Sequence, residues 1–388
     1  MRFSTRALGE IAEFRGGGTP SKARPEFYEN GSIPWVTPKD MKSWRIDSAF
    51  DLITDEAVAQ STTQLIPPSS VLVVTRSGVL KHTLPVGINQ IVVTINQDMK
   101  ALVCSELVDP TYLGRFLKAS SQQILTNVRG TTADNIPTVV LKNLAIPLPP
   151  LSEQKRIAAI LDATDALRAK RREVLAQLDS LAQSVFLEMF GDPVTNPMGW
   201  ELQPLGELGR LDRGVSKHRP RNEPSLLGGA HPLIQTGEVA SSEGYIRTYT
   251  STYSNLGLQQ SKLWPAGTLC ITIAANIANT GILTFDACFP DSVVGFRSDE
   301  PGQVEYVQGL FWFFKEILDR RAPQVAQKNI NLKILRSLPV PVPPLHLQQR
   351  FATIVEAIER QKARYRAHLD ELDGLFASLQ SRAFNGEL

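Results

Sequence analysis

A glycine-rich stretch near the start of the chain has the residue types of a phosphate contact. Residues 16–22 read GGGTPSK and follow Arg15. Three consecutive glycines allow backbone conformations that other residues cannot hold, and their N–H groups, flanked by Arg15 and Lys22, suit the approach of a phosphate. The spacing is neither that of a P-loop nor that of a dinucleotide-binding turn. Without further context, a flexible surface turn is the simpler interpretation.

A second stretch offers positive charge. Residues 210–221 read RLDRGVSKHRPR, in which five Arg and Lys side chains stand against the single Asp212. Such a run is typical of a solvated face, and a surface that binds a polyanion has the same composition. The net charge of the chain is only +2, so its overall charge does not indicate nucleic acid. The position of the run has to decide between the two.

No residue pattern supports catalysis. Residues 196–199, NPMG, are similar to the Asn-Pro-Pro-aromatic loop with which amino-methyltransferases hold a flipped base, but the second proline and the aromatic residue are missing. Their position at a junction favours a linker. There is no HExxH motif, no Cys/His cluster, and no acid and lysine following Pro290-Asp291 at nuclease spacing. We therefore expect no catalytic residue, metal or cofactor in this chain.

The elements that would position these stretches form an internal repeat. The sequence LKNLAIPLPPLSEQKRIAAILDA from Leu141 returns as LRSLPVPVPPLHLQQRFATIVEA from Leu335, a separation of 335 − 141 = 194 residues. Each copy has a proline ladder, which predicts an extended lead-in to a helix. Residues 1–140 and 193–334 diverge further, but IPPSSVLVVT at 66–75 matches LWPAGTLCIT at 263–272, a separation of 263 − 66 = 197.

Both repeated stretches predict a long amphipathic helix. The apolar heptad positions of the first are Ile157, Ile160, Leu167, Val174, Leu178, Leu181 and Val185, with Thr164 and Arg171 among them. Those of the second are Phe351, Ile354, Ile358, Leu372, Leu375 and Leu379, interrupted by Gln361, Tyr365 and His368. Either each helix packs on its own globular unit, or the two helices pair with each other, antiparallel because the repeat implies a pseudo-twofold axis.

The sequence thus predicts an α+β protein. Two similar α/β domains would be separated by two long antiparallel helices that form a coiled coil. The predicted boundaries are 1–150 for the first domain, 151–190 for the central helix, 191–344 for the second domain and 345–388 for the C-terminal helix.

Composition bounds the location of the protein. The three cysteines have no CxxC spacing, which favours reduced thiols. No apolar run approaches the length of a membrane span, and the N-terminus lacks the apolar segment of a signal peptide. We expect a cytoplasmic protein without membrane contact.

Four features together resemble the specificity subunit of type I restriction-modification systems. They are GGGTPSK at 16–22, NGSIPWVTPKDM at 30–41, the two helix starts PLPPLSEQ and PVPPLHLQQ, and the junction FGDPVTNPMGW at 190–200. The resemblance spans the chain and rests on the order and duplication of the motifs. The second domain lacks GGGTPS, and it has TIAA at 272–275 where the first has TRSG at 75–78. Contacts therefore cannot be transferred from one domain to the other.

The resemblance implies a DNA-binding subunit that is not itself an enzyme. Two target recognition domains would each read one half of a bipartite, asymmetric site in double-stranded DNA, and the paired helices would dock two modification subunits. Restriction subunits would join through the complex. The modification subunits would use S-adenosylmethionine to methylate adenine N6, and the restriction subunits would use ATP and Mg to translocate and cut DNA, so the complex would be an adenine-N6 DNA methyltransferase and a site-specific endonuclease.

Two other functions stay open. A stand-alone DNA-binding regulator would normally read a palindrome with identical subunits, which the divergence of the two domains argues against. An interaction scaffold without DNA contact would leave the glycine-rich and arginine-rich loops unexplained.

With DNA placed on the two domains, side-chain chemistry selects candidate contacts. Arg and Lys read guanine, Asn and Gln read adenine, and Lys, Ser and Thr hold phosphates. The candidates in the first domain are Arg15, Thr19, Ser21, Lys22, Lys39, Arg76, Ser77, Lys81 and Arg129. Those in the second domain are Arg213, Lys217, His218, Arg219, Arg221, Gln235, Asn276 and Lys328. On the helices, candidate contacts with modification subunits are Arg168, Arg171, Arg172, Arg364 and Arg366.

Overall fold

A computed structural model describes residues 3–126, 134–218, 220–274, 277–321 and 330–388. The chain divides into two compact units. Unit 1 comprises Met1–Arg171 with His368–Leu388, and unit 2 comprises Arg172–Ala367. Each of the two long helices therefore contributes one part to each unit.

Unit 1 contains the first ten strands of the described chain. They are β1 Thr5–Ala7, β2 Ala12–Gly16, β3 Ile33–Val36, β4 Arg45–Ile46, β5 Leu52–Ile53, β6 Val71–Val74, β7 Val86–Asn89, β8 Thr94–Ile95, β9 Met99–Cys104 and β10 Ala145–Pro147. Its helices are α1 Leu8–Ile11, α2 Asp55–Ala59, α3 Pro110–Ala119, α4 Ser121–Leu125, α5 Thr138–Lys142 and the first part of α6 Leu151–Phe190.

Three sheets organise unit 1. The largest has the order β2-β9-β6-β7-β4, in which only the β4–β7 pair is parallel. Its central strand β6 reads VLVV and is buried along its whole length, as expected for a strand covered on both faces. A smaller sheet has the order β5-β3-β8, and β1 pairs with β10. The first part of the proline ladder is thus a strand, since β10 ends at Pro147, and α6 begins after the ladder.

Unit 2 repeats this arrangement. Its strands are β11 Leu202–Pro204, β12 Arg210–Arg213, β13 Leu227–Leu233, β14 Gly244–Ile246, β15 Ser251–Tyr253, β16 Leu263–Trp264, β17 Leu269–Thr272, β18 Thr280–Leu283, β19 Ala287–Cys288, β20 Val293–Arg297 and β21 Pro339–Pro341. Its helices are α7 Leu205–Leu208, α8 Thr236–Ala240, α9 Asn255–Gln259, α10 Gln303–Arg321, α11 Leu332–Arg336 and part of α12 Leu345–Asn385.

The five-stranded sheet of unit 2 has the order β12-β20-β17-β18-β14, which matches unit 1 strand for strand. The pairing corrects the sequence alignment of β6 with β17 by one residue. Val74 lies opposite Met99, and Thr272 lies opposite Val293, where 293 − 99 = 194. Val74, and not Thr75, is therefore the counterpart of Thr272.

The two helices run antiparallel in each unit, so the predicted pairing is confirmed. In unit 1, Arg156 of α6 donates to the carbonyl of Leu388, and Arg168 bonds to Asp373 of α12. In unit 2, Lys362 of α12 lies 2.6 Å from a carboxylate oxygen of Asp179 in α6. Each helix also packs on the globular part of each unit, as Ile157 and Leu161 do in the core of unit 1. The two alternatives for the apolar stripe are both realised.

Half of the predicted stripe of α6 is shifted by one residue. Leu167 and Leu181 are 51% and 46% exposed, whereas Arg168 and Ala182 face inward. The inward positions 157, 161, 164, 168, 171, 175, 178 and 182 alternate in steps of four and three, which is the spacing of a coiled-coil seam. The same phase holds in α12 194 residues later, where Val355 and Lys362 are buried and Leu375 is 49% exposed.

A pair of hydrogen bonds explains the repeated proline and glutamine motif. The hydroxyl of Tyr112 donates to the carbonyl of Pro147 at 2.8 Å, and its counterpart Tyr306 donates to Pro341 at 2.7 Å. Gln154 then donates to the carbonyl of Pro149 at 2.9 Å, which holds the start of α6 against the strand that precedes it. Because proline carbonyls keep their lone pairs, the ladder serves as an acceptor row.

Candidate nucleic-acid interface

In unit 1, the loop between β8 and β9 brings several predicted contacts together. Thr19 donates its hydroxyl hydrogen to Gln97 in this loop. Arg76 Nε donates to Asp98 Oδ1 at 2.7 Å, so a second predicted residue is held on the same loop. Together with the turn that follows β3 and residues 50–51, which bond to that turn, these segments form what we term the first loop surface, residues 17–22, 37–40, 50–51, 76–81 and 96–98.

The glycine-rich stretch has a structural cause that the sequence did not reveal. A Cβ at Gly17 would lie 2.1 Å from the carbonyl oxygen of Ile95, so only glycine permits this approach. The N–H of Gly18 donates to the same carbonyl at 3.0 Å, and the carbonyl of Gly18 accepts from Trp35 Nε1 at 3.0 Å. The glycines therefore fix the loop to β8, and the N–H of Gly18 is not available to a phosphate.

An exposed aromatic ring next to Lys39 was missed by the sequence analysis. Phe50 is 83% exposed, and Lys39 Nζ lies 4.3 Å from its ring centroid. Lys39 also donates to Asp51 Oδ2 at 2.8 Å. A solvent-exposed phenyl beside a lysine can contact an apolar base edge or a sugar while the cation meets a phosphate. The sequence gives no signal for it, because an aromatic residue is ordinarily expected in the core.

The remaining predicted residues of unit 1 differ in how they are held. Arg15 Nε donates to Glu13 Oε1 at 3.0 Å, and this hydrogen bond lowers the pKa of Glu13. Ser77 accepts from the N–H of Val79 and so caps a short turn. Ser21, Lys22 and Lys81 are exposed. Arg129 lies outside the described residues.

In unit 2, two arginines of the basic run bond to Asp291. Arg213 donates to the carbonyl of Asp291 through Nε at 3.0 Å and Nη2 at 2.7 Å, and Arg221 bonds to its carboxylate. Asp291 follows β19 as Gln97 follows β8. A Cβ at Gly214 would lie 2.3 Å from the carbonyl oxygen of Phe289, so Gly214 is the counterpart of Gly17 although the GGGTPS motif is missing. Residues 213–218, 220–221, 235–238 and 290–292 form the second loop surface.

Three other predicted residues of unit 2 lie on the second loop surface. The backbone N–H groups of Lys217 and His218 both donate to Gln260 Oε1, at 2.7 and 3.0 Å, which leaves the Lys217 side chain exposed. Gln235 is the N-cap of α8, and its N–H donates to Glu238 Oε2 at 3.1 Å. Arg219, Asn276 and Lys328 lie outside the described residues.

Most of these cations already have a carboxylate or carbonyl partner. The pairs Lys39–Asp51 and Arg76–Asp98 are partly exposed, and ion pairs of this kind contribute about 0–1 kcal/mol each. These ion pairs orient the cationic side chains, and breaking them costs little free energy. A phosphate or a guanine edge can therefore replace the carboxylate.

The NPMG stretch forms a turn. Asn196 Nδ2 donates to the carbonyl of Trp200 at 2.8 Å, and its Oδ1 accepts from the N–H of Trp200 at 3.0 Å. Trp200 Nε1 donates to the carbonyl of Phe190, the last residue of α6. With its amide engaged on both sides, Asn196 connects α6 to β11.

Within the described ranges, no group of three or more His, Cys, Asp or Glu side chains is placed to hold a metal ion. Burial raises the pKa of Cys104 to about 12, so this thiol is protonated at neutral pH. Of the helices that the structure describes, none combines the length and the apolar character needed to cross a membrane.

Two of the predicted helix contacts face inward. Arg168 bonds to Asp165 at 2.8 Å and to Asp373, and its side chain is largely covered. Arg366 bonds to Glu243 at 2.8 Å. These two arginines tie elements of their own unit together, so they are poor candidates for contacts with another protein. The sequence placed them outside because their heptad phase was misread.

Comparison with known proteins decides the family. The sequence model of the type I restriction modification DNA specificity domain matches residues 2–178 and again residues 197–372. The chain belongs to this family. Each matched range of this specificity subunit contains one loop surface.

The type I restriction enzyme EcoR124I/EcoR124II specificity subunit of Escherichia coli is 40% identical over 183 residues, which cover 47% of this chain and 45% of that protein. The chain thus spans about half the length of this curated relative. A crystal structure of the S subunit of a type I system from M. genitalium has a TM-score of 0.62 at 16% identity and covers 98% and 96% of the two chains. A structure from work on complex assembly and conformational transition of the type I system has a TM-score of 0.56 at 19% identity, covering 100% and 98%.

Proposed function

We propose that this specificity subunit reads a bipartite, asymmetric site in double-stranded DNA, one half with each loop surface. The observation that carries the proposal is that the two surfaces have equivalent frames and unlike residues. Gly17 and Gly214 anchor the frames in the same way. Asp40 and Glu238 close equivalent capping boxes and bond to residues 50 and 250, so Lys39 and Phe50 of unit 1 correspond to Gly237 and Thr250 of unit 2. Similar scaffolds with different side chains are what recognition of two different half-sites requires.

Reading would divide between base edges and phosphates. In unit 1 we assign base contacts to Arg76 and Phe50 and phosphate contacts to Lys22 and Lys81, since the first two are held in place by the frame and the second two are exposed. In unit 2, Arg213 and Arg221 are oriented by Asp291 and take the corresponding role. The exposed Lys217 suits a phosphate.

The paired helices would dock two modification subunits. Leu181 of α6 and Leu375 of α12 are both about half exposed, and they are repeat counterparts because 375 − 181 = 194. An exposed leucine on each of two equivalent helix faces supports two equivalent docking sites. The similar structure with a TM-score of 0.56 comes from work on assembly of the type I complex, which supports this proposal.

The chemistry would reside in the partner subunits. Modification subunits with S-adenosylmethionine would methylate adenine N6, and restriction subunits with ATP and Mg, joined through the complex, would translocate and cut DNA. This chain would contribute recognition of the DNA sequence and no catalytic group. Purified subunit that transferred methyl groups by itself would contradict this assignment.

Separate reading of half-sites can be tested by methylome sequencing of a host that carries the chain and its modification subunit. The double variant Arg76→Ala/Phe50→Ala should relax one half of the motif, and Arg213→Ala/Arg221→Ala should relax the other. A lost base contact costs about 1–3 kcal/mol of discrimination. The control is Arg360→Ala, which removes an exposed cation of α12. A variant of one loop surface that altered both halves would refute separate readers.

Docking can be tested by sedimentation of the chain with excess modification subunit. Leu181→Asp and Leu375→Asp should each reduce the number of bound subunits from two to one, and the double variant should bind none. Leu167→Asp is the matched control, because Leu167 is equally exposed but its counterpart is Gln361. Unchanged stoichiometry in the double variant would place the docking surface elsewhere.

A further inference from the structure

The two units share an ion-pair cluster on their helices. In unit 1, Arg168 bonds to Asp165 at 2.8 Å and to Asp373. In unit 2, Lys362 lies 2.6 Å from both Glu359 and Asp179. The members correspond one to one, since 362 − 168, 359 − 165 and 373 − 179 all equal 194. The clusters therefore mark the same place in both units.

Unit 1 fills the space beside its cluster with aromatic rings. The indole of Trp44 lies against α3, where Gly114 makes room for it, because a Cβ at Gly114 would lie 2.6 Å from the ring. The guanidinium of Arg115 lies 4.6 Å from the Trp44 ring and 5.8 Å from the ring of Phe376. Trp44 directly precedes β4, so its ring packs the start of this strand against α3.

Unit 2 has small residues at the matching places. Ile88 pairs with Arg45 and Ile282 pairs with Tyr245, so the residue before each, Trp44 in unit 1, is Gly244 in unit 2. Along the helices, the counterpart of Phe376 is Ala182, since 376 − 182 = 194.

The tyrosine hydroxyls that bond to the proline ladder fix the third position. Tyr112 and Tyr306 are 306 − 112 = 194 residues apart, so Arg115 corresponds to Gly309. Unit 2 has thus replaced an indole, a phenyl and a guanidinium with two glycines and an alanine.

A cavity of about 410 Å³ lies beside Gly244 and Ala182, whereas Gly309 is not part of its lining because a Cβ there would meet the ring of Phe186 at 2.5 Å. Its lining includes Ala182, Gly244 and the cluster residues Asp179, Glu359 and Lys362. Trp312 stands at the place of Lys118 and adds an aromatic wall, since 312 − 118 = 194. The volume falls within the range of about 300–1,000 Å³ that is typical of small-molecule sites.

We propose that this cavity of unit 2 binds a neutral, planar aromatic molecule of the size of an indole. Gly244 and Ala182 leave open part of the space that the rings of Trp44 and Phe376 fill in unit 1, while the buried Gln308 stands at the place of Gly114. Trp312 offers a ring for offset stacking.

Neutrality follows from the charges, because every carboxylate of the lining already has a cation. Glu359 is bonded to Lys362 and to Arg247, each at 2.6 Å, Asp179 to Lys362, and Glu243 to Arg366. A cationic ligand would have to displace one of them.

The occupant would do for unit 2 what Trp44 does for unit 1. Gly244 begins β14, the strand that corresponds to β4, and the cavity separates this strand from α6 and α12. A bound ring would bridge that gap and restrict the movement of the recognition part of unit 2. This inference does not depend on which DNA sequence is read.

The test is ligand binding to the intact chain, with indole as the probe. The chain contains five tryptophans, so ¹⁹F NMR of protein labelled with 5-fluorotryptophan gives a resonance for each, and Trp312→Phe assigns the one in the cavity. Indole should shift the Trp312 resonance saturably, with a dissociation constant on the order of 1 mM or tighter for a ligand of this size. Shifts confined to the other tryptophans, or none, would overturn the proposal.

Two variants and one competitor sharpen the result. Ala182→Phe introduces the residue of unit 1 and should abolish the shift. Trp44→Ala opens the equivalent space in unit 1 and should create a second indole site in equilibrium dialysis. Benzamidine, a planar cation of similar size, should bind at least tenfold more weakly than indole. Indole binding that persists in Ala182→Phe, or tighter binding of benzamidine, would refute the site or its preference for neutral rings.

Discussion

Replacing Arg115 with methionine should destabilise unit 1 more than replacing the neighbouring Arg45, which bonds to the same aspartate. The side chain of Arg115 is 3% exposed. It donates to Asp162 Oδ1 through Nε at 2.8 Å and to Asp165 Oδ2 through Nη1 at 2.8 Å. Methionine keeps most of the volume and removes both charge-assisted bonds.

The magnitude follows from these partners. A hydrogen bond to a charged group contributes about 1.5–3 kcal/mol, so two of them suggest about 3–6 kcal/mol. The cost is smaller because neither carboxylate is left without a cation. Asp162 keeps Arg45 at 2.9 Å, and Asp165 keeps Arg168 at 2.8 Å. We expect a loss of about 2–4 kcal/mol in the free energy of unfolding of unit 1.

Hydrogen exchange followed by mass spectrometry is the suitable assay, because a chain of two units need not unfold in a single step. Protection should fall in peptides of α3 and of the five-stranded sheet of unit 1, and it should be unchanged in the sheet of unit 2. Arg45→Met is the matched control, since it removes one partly exposed pair worth under about 1 kcal/mol. If Arg115→Met cost no more than Arg45→Met, the buried ion cluster would not stabilise unit 1 as argued.

Three further predictions concern the loop, the acid limit and the helices. Gly17→Ala should destabilise unit 1 or displace its loop, because the Cβ would meet a carbonyl oxygen at 2.1 Å, whereas Gly78→Ala meets nothing within 4 Å and should be tolerated in thermal melts. Burial acts to raise the pKa of Asp165, but the hydrogen bond and charge of Arg115 outweigh it, so the net shift is downward. Its stabilising effect should be complete above about pH 5 and be lost as the pH falls below about 4, and Asp165→Asn should flatten this acid limb in urea titrations. Four residues inserted at the middle of both α6 and α12 would lengthen each by about 6 Å, so methylome sequencing should show one or two additional unspecified base pairs between unchanged half-sites; an unchanged spacer would mean that the helices do not set it.

The sequence predicted the pair of helices but not the residues along their seam. At three places α6 offers neighbouring apolar residues, such as Val174 and Leu175, so the pattern alone does not choose the phase. The choice is made by Arg168, which the structure turns inward because Asp165 and Asp373 neutralise it. A pattern that counts only apolar residues cannot detect a buried charge whose partner is about 200 residues away.

The loop surfaces show a similar limit. The glycines and the basic run were recognised, but their partners in the loops after β8 and β19 were not, since Gln97 and Asp291 have no local signature. The counterpart of Gly17 was missed because Gly214 is a single glycine in a different sequence context. The close approach of a loop backbone to the end of a strand requires glycine at one position, and it places no such requirement on the neighbouring residues.

The separation between repeat counterparts is not constant along the chain, and its variation has a consequence. It is 214 − 17 = 197 at the loop glycines and 245 − 45 = 200 at β4 and β14, but 282 − 88 = 194 at β7 and β18. From β7 to the end of the helices it stays at 194, so every insertion or deletion that distinguishes the halves lies upstream. Loops in that upstream part can be lengthened or exchanged without altering the heptad phase downstream. Most of each loop surface lies in this upstream part, and residues 96–98 and 290–292 lie downstream of it. Change in the larger part of a loop surface is therefore uncoupled from the register of the paired helices.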